Sequence, residues 1–121
     1  MLGFFRGTQF SNEARRAHDS SHLQLFFEKS VNSFSGVMKE VNQLDLDSGI
    51  RADGKYGGKK TFIFVTRSPH DGYTLMVYWK KPRAKGFVPD KRVLVKEFGN
   101  QEDLGDFMRK LLAKPVRAFV Y

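Results

Sequence analysis

One stretch of the sequence has the spacing of a phosphate-binding loop. Gly49 to Lys55 reads GIRADGK, which matches the pattern of glycines and lysine that holds nucleotide phosphates. Such a loop follows a strand, precedes a helix, and carries a Ser or Thr after the lysine to bind magnesium. Here Tyr56 follows the lysine, and a predicted helix precedes the motif. We therefore expect no nucleotide hydrolysis at this site.

The three histidines do not form a coherent catalytic or metal site. His18 and His22 have the spacing of two helical zinc ligands, but no third ligand is evident. His70 and Asp71 lie in a predicted turn and could exchange a proton, yet no nucleophile or second base accompanies them. The sequence has no cysteine, which removes thiolate nucleophiles and cysteine metal sites. We therefore expect no enzymatic activity, no metal ion and no cofactor.

The basic residues are concentrated in one part of the chain. The net charge of the 121 residues is +8. Residues 51–92 contain eleven Lys and Arg against three acids, and the rest of the chain is neutral. A patch this localised favours an anionic partner, most commonly a nucleic acid. RNA or single-stranded DNA is favoured over duplex DNA, because the sequence shows neither a helix-turn-helix nor a strongly basic recognition helix.

The centre of this basic segment is a predicted β-hairpin. Two runs of β-forming residues within 59–81 flank a group of turn formers at 68–72. If Arg67 lies opposite Tyr73, alternation divides the side chains between two faces. The aliphatic face would contain Ile63, Val65, Leu75, Val77 and Trp79. The second face would contain Phe62, Phe64, Met76 and Tyr78, with Lys60 opposite Lys80 at its end.

Two predicted helices can cover the aliphatic face of the hairpin. Apolar residues at steps of three and four predict a helix from about residue 22 to 44, capped by Ser20 or Ser21. Gly36 makes a break in this helix near residues 33–36 plausible. The same periodicity predicts a second helix at about 101–113.

The remaining segments are predicted to be loops and short strands. Residues 45–58 are polar and rich in glycine, which predicts an exposed loop. Two prolines and a glycine within 80–92 predict a second, basic loop. Strands are predicted at 92–98 and 116–121.

This order of elements predicts a single α+β domain at residues 21–121, preceded by a flexible N-terminal arm at 1–20. The domain would contain an antiparallel sheet of about four strands, with the two helices mainly on one face, in the order α-β-β-β-α-β. The order of helix, three strands and helix is similar to that of the Alu-domain proteins of the signal recognition particle, which bind RNA.

The sequence gives no sign of membrane insertion or secretion. No apolar run approaches the roughly 18 residues of a membrane span, and the first residues lack a secretory cleavage pattern. We expect a cytoplasmic protein without a membrane partner, and targeting to an organelle stays open.

If the helices cover the aliphatic face, the other face is the candidate binding surface. Aromatic rings surrounded by cations hold single-stranded nucleic acid on sheet platforms. We therefore expect a non-enzymatic protein that binds RNA or single-stranded DNA. The stacking residues would be Phe62, Phe64 and Tyr78, and the phosphate contacts Lys55, Lys59, Lys60, Lys80, Lys81, Arg83, Lys85, Lys91 and Arg92. Further candidates for the same face are Phe98, Phe119 and Tyr121, with Lys96 and Arg117 among its cations.

The alternative belongs to another class of function. Rings on a sheet face are often buried under a helix or in an interface between chains. The protein would then be a protein-interaction subunit, adaptor or inhibitor that uses this face to form a homodimer or to bind a partner. Its basic loops would contact an acidic protein surface.

Overall fold

Residues 29–121, which the computed structural model describes, form a six-stranded antiparallel sheet with two helices. The strands are β1 (Lys29–Val31), β2 (Gly49–Tyr56), β3 (Lys59–Arg67), β4 (Tyr73–Arg83), β5 (Gly86–Phe98) and β6 (Ala118–Val120). The helices are α1 (Phe34–Gln43) and α2 (Gln101–Leu111), and the sheet order is β1-β6-β2-β3-β4-β5. The predicted α+β class is confirmed, with six strands in place of about four. The predicted arm at 1–20 lies outside the described residues.

The hairpin of β3 and β4 has the predicted register. Arg67 lies opposite Tyr73, and Phe64 lies opposite Met76. The aliphatic face is the core face, and both helices pack against it. Its fully buried members are Ile50, Ile63, Val65, Leu75 and Val77, which meet Val37 and Val41 of α1 and Leu104 and Met108 of α2. Trp79 is half-buried at the margin of this core, where its ring lies 6.1 Å from that of Tyr56.

The first predicted helix is too long at its N-terminal end within the described residues. Lys29–Val31 forms β1, which pairs with β6, and α1 begins only at Phe34. Ser33 ends the extended segment and caps the helix, because its side-chain oxygen accepts a hydrogen bond from the backbone N–H of Gly36 at 3.0 Å. Residues 22–28 of the predicted helix lie outside the described part of the chain.

The predicted exposed loop at 45–58 is wrong, because most of it forms the central strand β2. This strand pairs with β3 along its whole length and also with β6. Ile50, Ala52 and Gly54 alternate toward the core and are buried. Gly57 and Gly58, both at positive φ, connect Tyr56 to Lys59 as a two-residue hairpin turn.

The predicted basic loop at 80–92 is also wrong. Strands β4 and β5 continue through this segment and pair from Arg83 and Gly86 at the turn to Tyr73 and Phe98. Pro89 is compatible with this because β5 is an edge strand, and Pro82 lies beyond the last paired residue of β3. Two register irregularities, near Tyr78, mark bulges between the strands.

The C-terminal elements agree more closely with the predictions. Helix α2 begins after Asn100, whose side chain accepts a hydrogen bond from the N–H of Asp103 at 2.8 Å. Strand β6 then inserts between β1 and β2. The order β-α-β-β-β-β-α-β therefore has more strands than the helix–three strands–helix order of the Alu-domain proteins. Neither helix of residues 29–121 is long and apolar enough to cross a membrane.

Candidate nucleic-acid interface

The sheet face opposite the two helices carries a row of aromatic side chains. We call it the aromatic face, and its central residues are Phe62, Phe64, Met76 and Tyr78, all half-buried. The rings of Phe64 and Tyr78 meet edge to face, with centroids 5.4 Å apart, and Phe62 lies 6.3 Å from Phe64. Since α1 and α2 pack on the other side, no helix of residues 29–121 covers these rings.

The aromatic face extends across the neighbouring strands on both sides. Toward β6, Arg51 lies opposite both Phe64 and Phe119, and its guanidinium carbon is 4.9 Å from the centroid of the Phe119 ring. Toward β5, Val95 lies opposite Met76 and is 47% exposed. The predicted membership of Phe119 is correct. Arg51 and Val95 extend the surface beyond the residues predicted to bind.

Two residues predicted for this face lie on the helix side instead. Phe98 pairs with Tyr73 and is buried in the core. Lys96 pairs with Leu75, and its Nζ lies 4.6 Å from the centroid of Phe107 on α2. Residues of β5 alternate between the two faces, so that Val95 lies on the aromatic face and Lys96 and Phe98 lie on the helix side.

Lys80 is held inside the aromatic face by an ion pair. Its Nζ lies 3.0 Å from the carboxylate of Asp53 and 4.7 Å from the centroid of Phe62. Only 12% of the Lys80 side chain is exposed. The charge of Lys80 is therefore largely compensated within the protein, where this lysine makes a cation–π contact with Phe62.

Lys55 and Lys60 form the most available cationic pair on the aromatic face. They lie directly opposite each other on β2 and β3, and both are exposed. Like charges at such a position destabilise a sheet slightly unless an anion lies between them. No acidic side chain within residues 29–121 forms a salt bridge with either lysine. Lys60 also lies 5.9 Å from the ring of Phe87, which is 47% exposed.

Other predicted phosphate contacts lie on the helix side of the sheet. Lys59 lies over the ring of Trp79 at 5.3 Å, and Trp79 shares the core side with Thr61. Alternation along β4 places Lys81 on that same side, opposite the side of Lys80. The structure therefore divides the lysines at this end of the sheet between two surfaces.

The end of the β4–β5 hairpin carries the rest of the predicted cations. Beyond Trp79 the two strands pair only with each other within the described sheet and form a two-stranded basic arm. Arg83 and Lys85 are exposed at its turn, and Lys91 is exposed on β5. Arg92 pairs with Tyr78, so that it joins the aromatic face.

The motifs considered for catalysis do not form a site in the described part of the chain. The GIRADGK segment is the extended strand β2, so its backbone N–H groups do not converge on a phosphate. His70 is exposed in the turn between β3 and β4. Residues 29–121 contain no group of three or more His, Asp or Glu side chains that could hold a metal ion. His18 and His22 lie outside the described residues.

Comparison of the chain with known protein families, with curated proteins and with solved structures finds no match.

Proposed function

We propose that this protein binds single-stranded nucleic acid, RNA or single-stranded DNA, on its aromatic face. The observation that carries the proposal is the position of the exposed Lys55–Lys60 pair beside the row of Phe62, Phe64 and Tyr78. Rings supply stacking surfaces for bases of any identity, and cations at their border hold the phosphates. The protein is proposed to act by binding alone, without catalysis.

The shape of the surface favours a single strand over a duplex. A sheet face offers ring surfaces to bases that are already unstacked, whereas the edges of paired bases lie inside a groove that needs a helix or ribbon to enter. Helix α2 has acidic residues in its first turn and basic residues in its last turn. It therefore lacks the uniformly basic side of a recognition helix.

A matched pair of charge reversals tests which surface binds. Lys55→Glu with Lys60→Glu removes the exposed cations of the aromatic face. Lys59→Glu with Lys81→Glu makes the same change in net charge at the same end of the sheet, but on the helix side. Titration of a fluorescent oligonucleotide should show a larger loss of affinity, and a flatter salt dependence, for the first pair. Equal losses for both pairs would contradict binding on the aromatic face.

Ring deletion tests stacking independently of charge. Phe64→Ala or Tyr78→Ala should each weaken oligonucleotide binding by about 1–3 kcal/mol per stacked base while leaving the salt dependence almost unchanged. Phe34→Ala is the control, because this half-buried ring lies on α1, under Arg109. Circular dichroism would show that each variant is folded. Unchanged affinity in both aromatic-face variants would exclude stacking.

A further inference from the structure

Strand β5 forms one edge of the sheet in the described part of the chain. Within residues 29–121 it pairs only with β4. Such edges are templates for pairing unless prolines, charges or bulges protect them. Pro89, the neighbouring basic residues and the two register irregularities protect the N-terminal half of β5. The segment from Leu94 to Phe98 contains no proline, and no register irregularity interrupts its pairing with β4.

The side chains of β5 on the aromatic face follow a self-complementary order. Glu97 pairs with Thr74, Val95 with Met76 and Arg92 with Tyr78. The register irregularity between Arg92 and Leu94 places the Arg92 side chain on the same face as those of Val95 and Glu97. The row along the edge is therefore acidic, apolar and basic. When such a row is turned by 180° and placed beside itself, the acid meets the base at both ends and the apolar residue meets its own copy.

We infer that two copies of this chain associate by antiparallel pairing of their β5 strands about a two-fold axis at Val95. In this register Val95 packs against Val95 of the second copy, and Glu97 lies opposite Val93 along the backbone. Because the register irregularity between Leu94 and Arg92 turns Arg92 to the aromatic face, Arg92 of each copy is the cation next to Glu97 of the other on that face. On the helix side, Leu94 lies opposite Lys96. No like charges are opposed on either side of the ribbon, which is what an isologous interface requires.

The same features favour a second copy over an unrelated peptide. Any extended segment could form the backbone hydrogen bonds, but the charge order of β5 is complementary to itself when antiparallel. Val95, at the centre of the row, is one of three exposed large hydrophobic residues in the described chain. A paired segment this short buries less surface than a permanent dimer needs, so we expect a reversible, concentration-dependent equilibrium.

A dimer of this kind would have one structural consequence. Because the two-fold axis is perpendicular to the sheet, both aromatic faces lie on the same side of a continuous sheet. The inference goes beyond the proposed function and does not depend on it, since the association is measured without nucleic acid.

Sedimentation equilibrium of nuclease-treated protein, from micromolar to millimolar concentration, tests the inference. Wild type should pass from monomer to dimer. Val95→Lys places two cations at the axis and should raise the dimer dissociation constant about tenfold or more. Arg92→Glu and Glu97→Arg should each do the same through opposed like charges, whereas the double variant with both changes should restore dimerisation. Glu102→Arg, on the exposed surface of α2, is the control and should leave the equilibrium unchanged.

Three results would overturn the inference. Wild-type protein that stays monomeric over the whole range would exclude the dimer. A dimer that persists in Val95→Lys, or a double charge exchange that fails to restore association while circular dichroism shows a folded protein, would place the interface elsewhere.

Discussion

Asp53 places a carboxylate among the cations of the aromatic face. It lies opposite Phe62 and pairs with the Nζ of Lys80 at 3.0 Å, so that the lysine lies over the Phe62 ring. A partly buried lysine gains from such a partner because it retains little contact with water. The pair therefore fixes Lys80 over the Phe62 ring and compensates one positive charge of the aromatic face.

Replacement of Asp53 should release that charge. Asp53→Asn keeps the shape of the side chain and removes its charge, which leaves Lys80 available to a phosphate. Oligonucleotide affinity should rise, and the slope of log affinity against log salt should become steeper by about 0.7. Fluorescence titration at several salt concentrations measures both.

Asp90→Asn is the control for the change in net charge. Asp90 is exposed on the basic arm and forms no salt bridge with a residue of 29–121. Its removal should change the slope less. A slope that is no steeper in Asp53→Asn than in Asp90→Asn would show that Lys80 does not reach the ligand.

At the scale of the elements, β2 is the strand that joins the predicted hairpin to the rest of the sheet. On its inward side, Gly54 has no side chain, and this lets the end of α2 approach closely. A Cβ at Gly54 would meet the side chain of Ile63 and would lie 2.8 Å from the carbonyl oxygen of Leu111. An isolated bridge between Gly54 and Leu112 marks the same contact.

Gly54→Ala should therefore destabilise the fold. The added methyl group needs the backbone at the end of α2 to move, so we expect a loss of about 1–3 kcal/mol in the free energy of unfolding. Gly99→Ala is the matched control, because nothing lies within 4 Å of the added Cβ there. Denaturant unfolding compares the two. Equal midpoints would show that α2 does not contact β2 as closely as described.

The elements that sequence reasoning found are those with large side chains in a clear alternation. The hairpin of β3 and β4 was predictable because bulky residues such as Phe64 and Leu75 alternate between two faces. Strand β2 was not, because Ala52, with one methyl group, and Gly54, with no side chain, give little hydrophobic periodicity. The Gly57–Gly58 pair is typical of a two-residue hairpin turn. The polar, glycine-rich composition of the whole segment nevertheless favoured the prediction of a loop. The prolines of the basic arm predicted a loop, because proline is excluded from central strands. Edge strands accept proline, but the sequence does not show which strand lies at the edge.

The candidate site was predictable only where it lies on that hairpin. The rings of Phe62, Phe64 and Tyr78 share a face because of local alternation, which sequence alone specifies. Arg51 and Phe119 join them through the pairing of β2 with β3 and β6, which are contacts between distant parts of the chain. Lys59 and Lys60 lie on opposite faces of the sheet because successive residues of a strand alternate. This placement could have been predicted from the sequence.

At the scale of the whole molecule, the antiparallel topology separates the charges along the strands. The connections at one end of the sheet bring together lysines of the β2–β3 turn and the basic arm, including Lys55, Lys59 and Lys85. The other end carries acids such as Asp47 and Glu102, where β2 and α2 begin. If the protein binds an anionic chain as proposed, this charge distribution would attract the chain to one end and orient it during the encounter.

Binding of the wild-type protein to a single-stranded oligonucleotide tests the central claim most directly. At about 0.15 M salt we expect a dissociation constant of about 10 µM or lower, weaker binding to the matching duplex, and a response to several unrelated sequences. If Arg51, Lys55, Lys60 and Arg92 each contact a phosphate, the slope of log affinity against log salt should be about −2.8. No detectable binding at tens of micromolar protein (about 50 µM) would contradict the claim. The aromatic face would then be better explained as an interface with another protein.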